Sequence, residues 1–178
     1  MSPSALLTSW QQFLLVLLRF SIGWHLFYQG FGKVQAVRWS AQPYLSSATG
    51  PFAGLFHWLA ATPRWLGIAD AATVWGLMIA GVLLMIGLFT RTASIAGILL
   101  LVLFFAAQPP VSRHGFAVQG PDGFELYVNK VLIEILALAL TVAFNTGRIS
   151  GLDMLVSQWI RKKRYGLRTG AETPAAAQ

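Results

Sequence analysis

The apolar positions of the chain gather into four long runs, at about residues 11–31, 70–89, 92–107 and 126–146. Each approaches the roughly 20 consecutive apolar residues a helix needs to cross a hydrocarbon core, so the pattern predicts four membrane spans. The third run stops at Gln108-Pro109-Pro110, where proline withdraws the donor the next turn requires. Only Thr90-Arg91-Thr92 separates the second and third runs, which forces a tight antiparallel pair. Gly76, Ala80, Gly81, Ala93 and Gly97 are expected to let those two helices approach closely.

The connections carry their own pattern. Residues 32–69 form a long link, too long to be structureless. Within it Pro51–Ala61 is apolar, with proline suited to a first turn, and predicts a short helix over the mouth of the bundle. Trp39, Tyr44, Trp58 and Trp65 suggest an interfacial aromatic belt. The link at 108–125 holds Arg113-His114-Gly115 and the turn signal Pro121-Asp122-Gly123. After the fourth run, Ser150 and Asp153 have capping-box spacing, and Leu152, Leu155, Val156, Trp159 and Ile160 share one helical face. Residues 147–165 are therefore expected to be an amphipathic helix on the membrane surface, with Trp159, Arg161, Lys162, Lys163 and Arg164 at anionic headgroups. Residues 166–178 have nothing to bury and are expected to be disordered. The fold class that follows is an all-α membrane protein: a four-transmembrane-helix bundle over residues 1–146, a partly ordered outer loop and a C-terminal interfacial helix.

Composition agrees, with 56% hydrophobic and 11% charged residues. The net charge of +7 would suit nucleic acid in a soluble protein, but the basic residues cluster after the last apolar run. The charge therefore reads as topology, with both termini cytoplasmic in a bacterial-type inner membrane and no nucleic-acid partner. Without a cysteine, disulfides, thiolate zinc sites and cysteine-ligated clusters are excluded. No Walker loop, dinucleotide fingerprint, HExxH or serine elbow occurs. The three histidines lie far apart in sequence, so no metal site is expected.

Chemistry then concentrates in two apolar runs that carry charge. Arg19, Gln29 and Lys33 share one face of the first, with His25 at its edge, and Lys130 and Glu134 share one face of the fourth. Charge inside a span should face protein or a wet cavity. Arg19 lies roughly 18 Å and Glu134 roughly 12 Å from the outer boundary at 1.5 Å per residue. A long arginine can bridge that difference, so an Arg19–Glu134 pair is expected. Such a pair serves either to fix helix register or to form a functional site. His25 is expected to bond a neighbouring carbonyl, with proton relay as its other reading.

The segments RFSIGWHLFYQGFGK at 19–33, GLFTRTA at 87–93 and ELYVNKVLIE at 125–134 resemble DoxX-like membrane proteins. They are nearest the DoxD branch, associated with the membrane subunit of thiosulfate:quinone oxidoreductase. The resemblance extends over all four runs. It implies a four-helix bundle working in a quinone-linked redox assembly, with a quinone or small acid as ligand and other membrane or redox subunits as partners. Arg19 and Glu134 would then be the catalytic pair, and His25, Gln29, Lys33 and Lys130 would bind the headgroup. No electron carrier is intrinsic to the sequence. A non-catalytic scaffold and a small transporter are the alternatives.

Overall fold

The computed structural model describes residues 7–109, 118–120, 123–125, 128–154 and 158. Helix α1 (Ser9–Gln35) starts at a capping box, in which Thr8 Oγ1 accepts from Gln11 N and Gln11 Oε1 accepts from Thr8 N. Two short helices follow, α2 (Gln42–Ser46) and α3 (Ala53–Ala61). Extended Thr62 then breaks the path, and Pro63 opens α4 (Pro63–Ile86). The residue before a proline avoids the helical region, and proline itself suits a first turn. The helix thus begins well ahead of the apolar run that predicted it. Gly87 (φ 69°) and Phe89 (φ 47°) turn the chain into α5 (Thr90–Ala107).

Two strands, β1 (Val118–Gly120) and β2 (Gly123–Glu125), pair antiparallel with Gly120 opposite Gly123. Apart from this short hairpin, the described elements are all helical. Helix α6 (Lys130–Ala143) has 14 residues, about 21 Å at 1.5 Å per residue, and is shorter than the apolar run at 126–146. Its limits are local. Asn129 Oδ1 caps the N-terminus by accepting from Leu132 N at 2.9 Å, and left-handed Asn145 ends the path before a 3-10 turn at Thr146–Arg148.

The four long helices pack in a ring, α1 on α4, α4 on α5, α5 on α6 and α6 back on α1. Ile22, Leu26, Leu77, Leu84, Ala93, Leu101, Ala137 and Leu138 form the shared core. A second core of Ala41, Leu45, Ala48, Phe56, Ala60 and Ala107 holds the α2–α3 region against the end of α5.

The tightest seam is α1 on α4. A Cβ on Gly81 would stand 2.5 Å from Phe27 N and 2.6 Å from Gly23 O. The small residues expected to serve the α4–α5 pair thus divide. Gly81 faces α1 and Gly97 faces Leu138 of α6, whereas Gly76 meets Leu100 of α5.

Helices α4 and α5 are long and apolar enough to cross a membrane, and their most apolar windows are only 28% and 33% buried. The core helix of a soluble protein would be mostly covered. These instead turn outward a surface that includes Trp75, Ile79, Val82, Leu99 and Leu103.

Candidate functional site: a polar-tipped cavity between the helices

The polar residues of α1 and α6 separate into two places. At the α4–α5 turn, Arg19 is 3% exposed, and its Nη1 donates to the Thr146 carbonyl at 3.0 Å. Asp153 is the acidic group acting on it. That carboxylate also receives Phe89 N at 2.7 Å and Thr90 N at 2.9 Å, while Asp153 N donates to the Gly87 carbonyl at 2.9 Å. An acid at a helix start satisfies free amides and meets the positive end of the dipole. Asp153 therefore caps α5, a helix distant in sequence, rather than completing a capping box with Ser150. Gly87 and Gly151 are in contact here: a Cβ on Gly87 would lie 2.8 Å from Gly151 Cα and 3.1 Å from both terminal nitrogens of Arg19.

The expected Arg19–Glu134 pair is consequently not formed. A helical side chain leans toward its own N-terminus. Arg19 on α1 and Glu134 on antiparallel α6 therefore lean toward opposite ends of the bundle, and the gap between them widens. Glu134 is met instead by His25, with Nε2 to Oε1 at 3.0 Å. The expectation that His25 bonds a carbonyl is corrected by the same contact.

His25 and Glu134 belong to a cavity of about 620 Å³ whose lining also includes Gln29, Lys33 and Lys130. All four residues expected to bind ligand, together with Glu134, thus converge, and only Arg19 is elsewhere. Leu26, Leu77, Leu101, Phe104 and Val131 supply apolar walls. The size and the few polar groups on an apolar lining are those of a small-molecule site. Lys33 Nζ donates to the Gln29 carbonyl at 3.2 Å and stands 5.4 Å from the centre of the Trp39 ring. Lys130 occupies the first position of α6, where the dipole disfavours a cation. It thereby adds to the positive potential at the cavity.

Residues 39–45 roof the cavity with Trp39, Ser40, Ala41, Pro43, Tyr44 and Leu45. Asp70 Oδ1 accepts from Ala41 N at 2.7 Å, Tyr44 Oη donates to the Phe104 carbonyl at 2.8 Å, and Gln108 Nε2 donates to Ser47 Oγ at 2.7 Å. Tyr44 is 37% exposed as a residue, yet its hydroxyl end is packed in, and burial pushes its pKa up to about 12. It remains a neutral donor at physiological pH.

Asp70 and Tyr44 were not singled out as site residues by sequence. An acid heading an apolar run was the available signal for Asp70, and the aromatic cluster was the signal for Tyr44. Below the cavity, Ser94 Oγ and Thr141 Oγ1 are 2.7 Å apart, and Thr141 Oγ1 also donates to the Leu138 carbonyl at 2.7 Å. Among the described residues there is no cluster of three groups able to hold a metal. Trp159, Arg161, Lys162, Lys163 and Arg164 lie outside the described residues, as do residues 166–178.

Comparison of the chain with protein families, curated proteins and solved structures finds no match.

Proposed function

We propose that the chain is a multi-pass membrane protein of DoxX-like type whose cavity binds the polar head of a quinone or a small acid, as a subunit of a membrane redox assembly. The observation that carries the ligand-site reading is the meeting of His25, Gln29, Lys33, Lys130 and Glu134 on the apolar walls of one cavity. The redox assignment rests on the sequence resemblance. In this reading α1, α4, α5 and α6 are the four spans, both termini are cytoplasmic, and the roof at residues 39–45 lies toward the outer face.

Cationic and hydrogen-bonding groups stabilise charge developing on a headgroup oxygen. Lys33 and Lys130 supply the positive potential and Gln29 a neutral partner. The His25–Glu134 contact places two proton-exchanging groups in direct reach of one another. Electrons would have to come from a partner subunit.

The test is purification in mild detergent, with mass spectrometry of co-purifying proteins and extraction of bound quinone, on the wild type and on Glu134→Gln and Lys130→Gln. Stoichiometric quinone should be recovered with the wild type. Each variant should lose it by roughly tenfold, the worth of one charged hydrogen bond. Recovery of quinone at the wild-type level from both variants would remove the site assignment.

A second reading, a scaffold whose charges fix packing, is favoured by Arg19, which joins α1, the α4–α5 turn and the chain after α6. It predicts recovery of partner subunits with no small molecule.

A further inference from the structure

Hydroxyls on or at the end of a helix commonly return to a carbonyl about one turn back. Ser46 does so to Gln42 at 2.7 Å, Thr62 to Trp58 at 3.0 Å and Thr141 to Leu138 at 2.7 Å. Thr73 on α4 does not. The residue is 8% exposed, and its hydroxyl has no hydrogen-bond partner among the described residues. The hydroxyls of Thr90 and Thr146 also lack a partner, but they are sealed inside the protein. Thr73 lines the cavity. A polar group on a buried wall is costly unless something in the cavity answers it.

The helix register places this hydroxyl across from the deeper polar pair. In the ring of helices α4 stands diagonally opposite α6. Gly76 meets Leu100 across the α4–α5 pair, and Gly97 meets Leu138 across α5–α6. Thr73 is thereby level with about Leu103 and Glu134 with about Leu101, a difference in height of about 3 Å at 1.5 Å per residue. The Glu134 wall already has an internal contact, from His25. The Thr73 wall has none.

We infer that Thr73 binds a second oxygen of the ligand, so that the cavity selects a neutral ring with oxygens on opposite sides, one at α4 and one at the His25–Glu134 wall. The inference rests on the ligand-site reading above and decides between the two ligand classes named there. A quinone-type head answers both walls. A small acid with its oxygens at one end leaves Thr73 unanswered, and a second carboxylate brought to Thr73 would meet an uncharged hydroxyl that cannot offset its desolvation. Leu26, Leu77, Leu101 and Phe104 then cover the apolar body of the ring and its substituents.

The test titrates the full chain in detergent micelles with a decyl-substituted para-benzoquinone, which quenches tryptophan. The difference between wild type and Trp39→Phe isolates the tryptophan that lines the cavity. Quenching of Trp39 should saturate. Thr73→Val should weaken the quinone by roughly threefold to tenfold, the worth of one neutral hydrogen bond, and Thr73→Ser, which keeps the hydroxyl, should restore it. A decyl phenyl ketone, with a single oxygen, should compete equally well in wild type and Thr73→Val, because the coupling belongs to the second oxygen. A decyl-substituted benzoic acid should compete less well than the quinone by roughly tenfold. Wild-type quinone affinity in Thr73→Val, or equal losses of quinone and ketone, would overturn the role of Thr73 while saturable quenching keeps the site. Displacement by the acid as tight as by the quinone would overturn the neutral class. No saturable quenching of Trp39 in the wild type would remove the ligand-site reading itself, and this inference with it.

Discussion

At the scale of single residues, two charges on matching helix faces have different work because their side chains point to opposite ends of the bundle. Arg19 is a buried cation bonded to a carbonyl and facing Asp153. Glu134 is an acid at a cavity wall. Arg19→Leu should therefore act on stability, destabilising by about 1–3 kcal/mol because the buried Thr146 carbonyl loses its donor. Thermal unfolding in detergent micelles measures this, and Glu134→Gln should unfold close to wild type in the same assay. Tyr44 gives a titration with a definite sign. Its pKa is raised to about 12 from an ordinary value near 10. The contribution of its neutral hydroxyl to stability is thus fully present below about pH 10 and is lost as pH rises through about 12. At pH 11 the phenolate absorbance of wild type and Tyr44→Phe should coincide, and above about pH 12 the wild type should exceed the variant.

At the scale of elements, contact geometry separates glycines that sequence spacing treats alike. Gly81→Ala places a methyl against backbone atoms of α1, which cannot move without parting the helices. It should destabilise by about 1–3 kcal/mol. Gly54→Ala in α3 meets nothing within 4 Å and should stabilise by up to about 1 kcal/mol, since alanine is the better helix former. Chemical denaturation of the two variants in parallel checks both signs.

The difference also marks what was legible in the chain. The inward faces of α1 and α6 could be read from periodicity, because Arg19, Ile22, Leu26 and Gly30, and Ala137 and Thr141, are buried as the wheel requires. Which helix each small residue faces depends on the order of helices around the ring, which no local pattern contains. The α6 boundary was missed because hydropathy counts apolar residues, whereas Asn129 and Asn145 set the ends through backbone geometry. Asp153 was misread for a similar reason, as the amides it caps lie 64 and 63 residues away in sequence.

At the scale of the whole molecule, the proposed orientation puts the α4–α5 turn inside and the cavity roof outside. With no native cysteine, single replacements report it cleanly. In intact cells, Ser46→Cys on exposed α2 should react with a membrane-impermeant maleimide, and Arg91→Cys should react only after the membrane is opened. The reverse pattern would invert the bundle. The cavity residues come from chain positions 25–45, 69–77, 101–104 and 130–134, so their convergence follows from the ring arrangement. Sequence could set the polar faces of the first and fourth runs toward each other but could not supply the α4, α5 and roof residues that complete the walls.

The bond from Asp153 to the start of α5 sets an order of events during synthesis. The α4–α5 pair leaves the ribosome with two amides at its turn unanswered, and the carboxylate that answers them is made 63 residues after Thr90. Until it arrives, Arg19 also lacks the acid that acts on it. One later residue thus completes the turn beside the buried arginine, so a segment made after α6 acts as the fastener for helices made earlier.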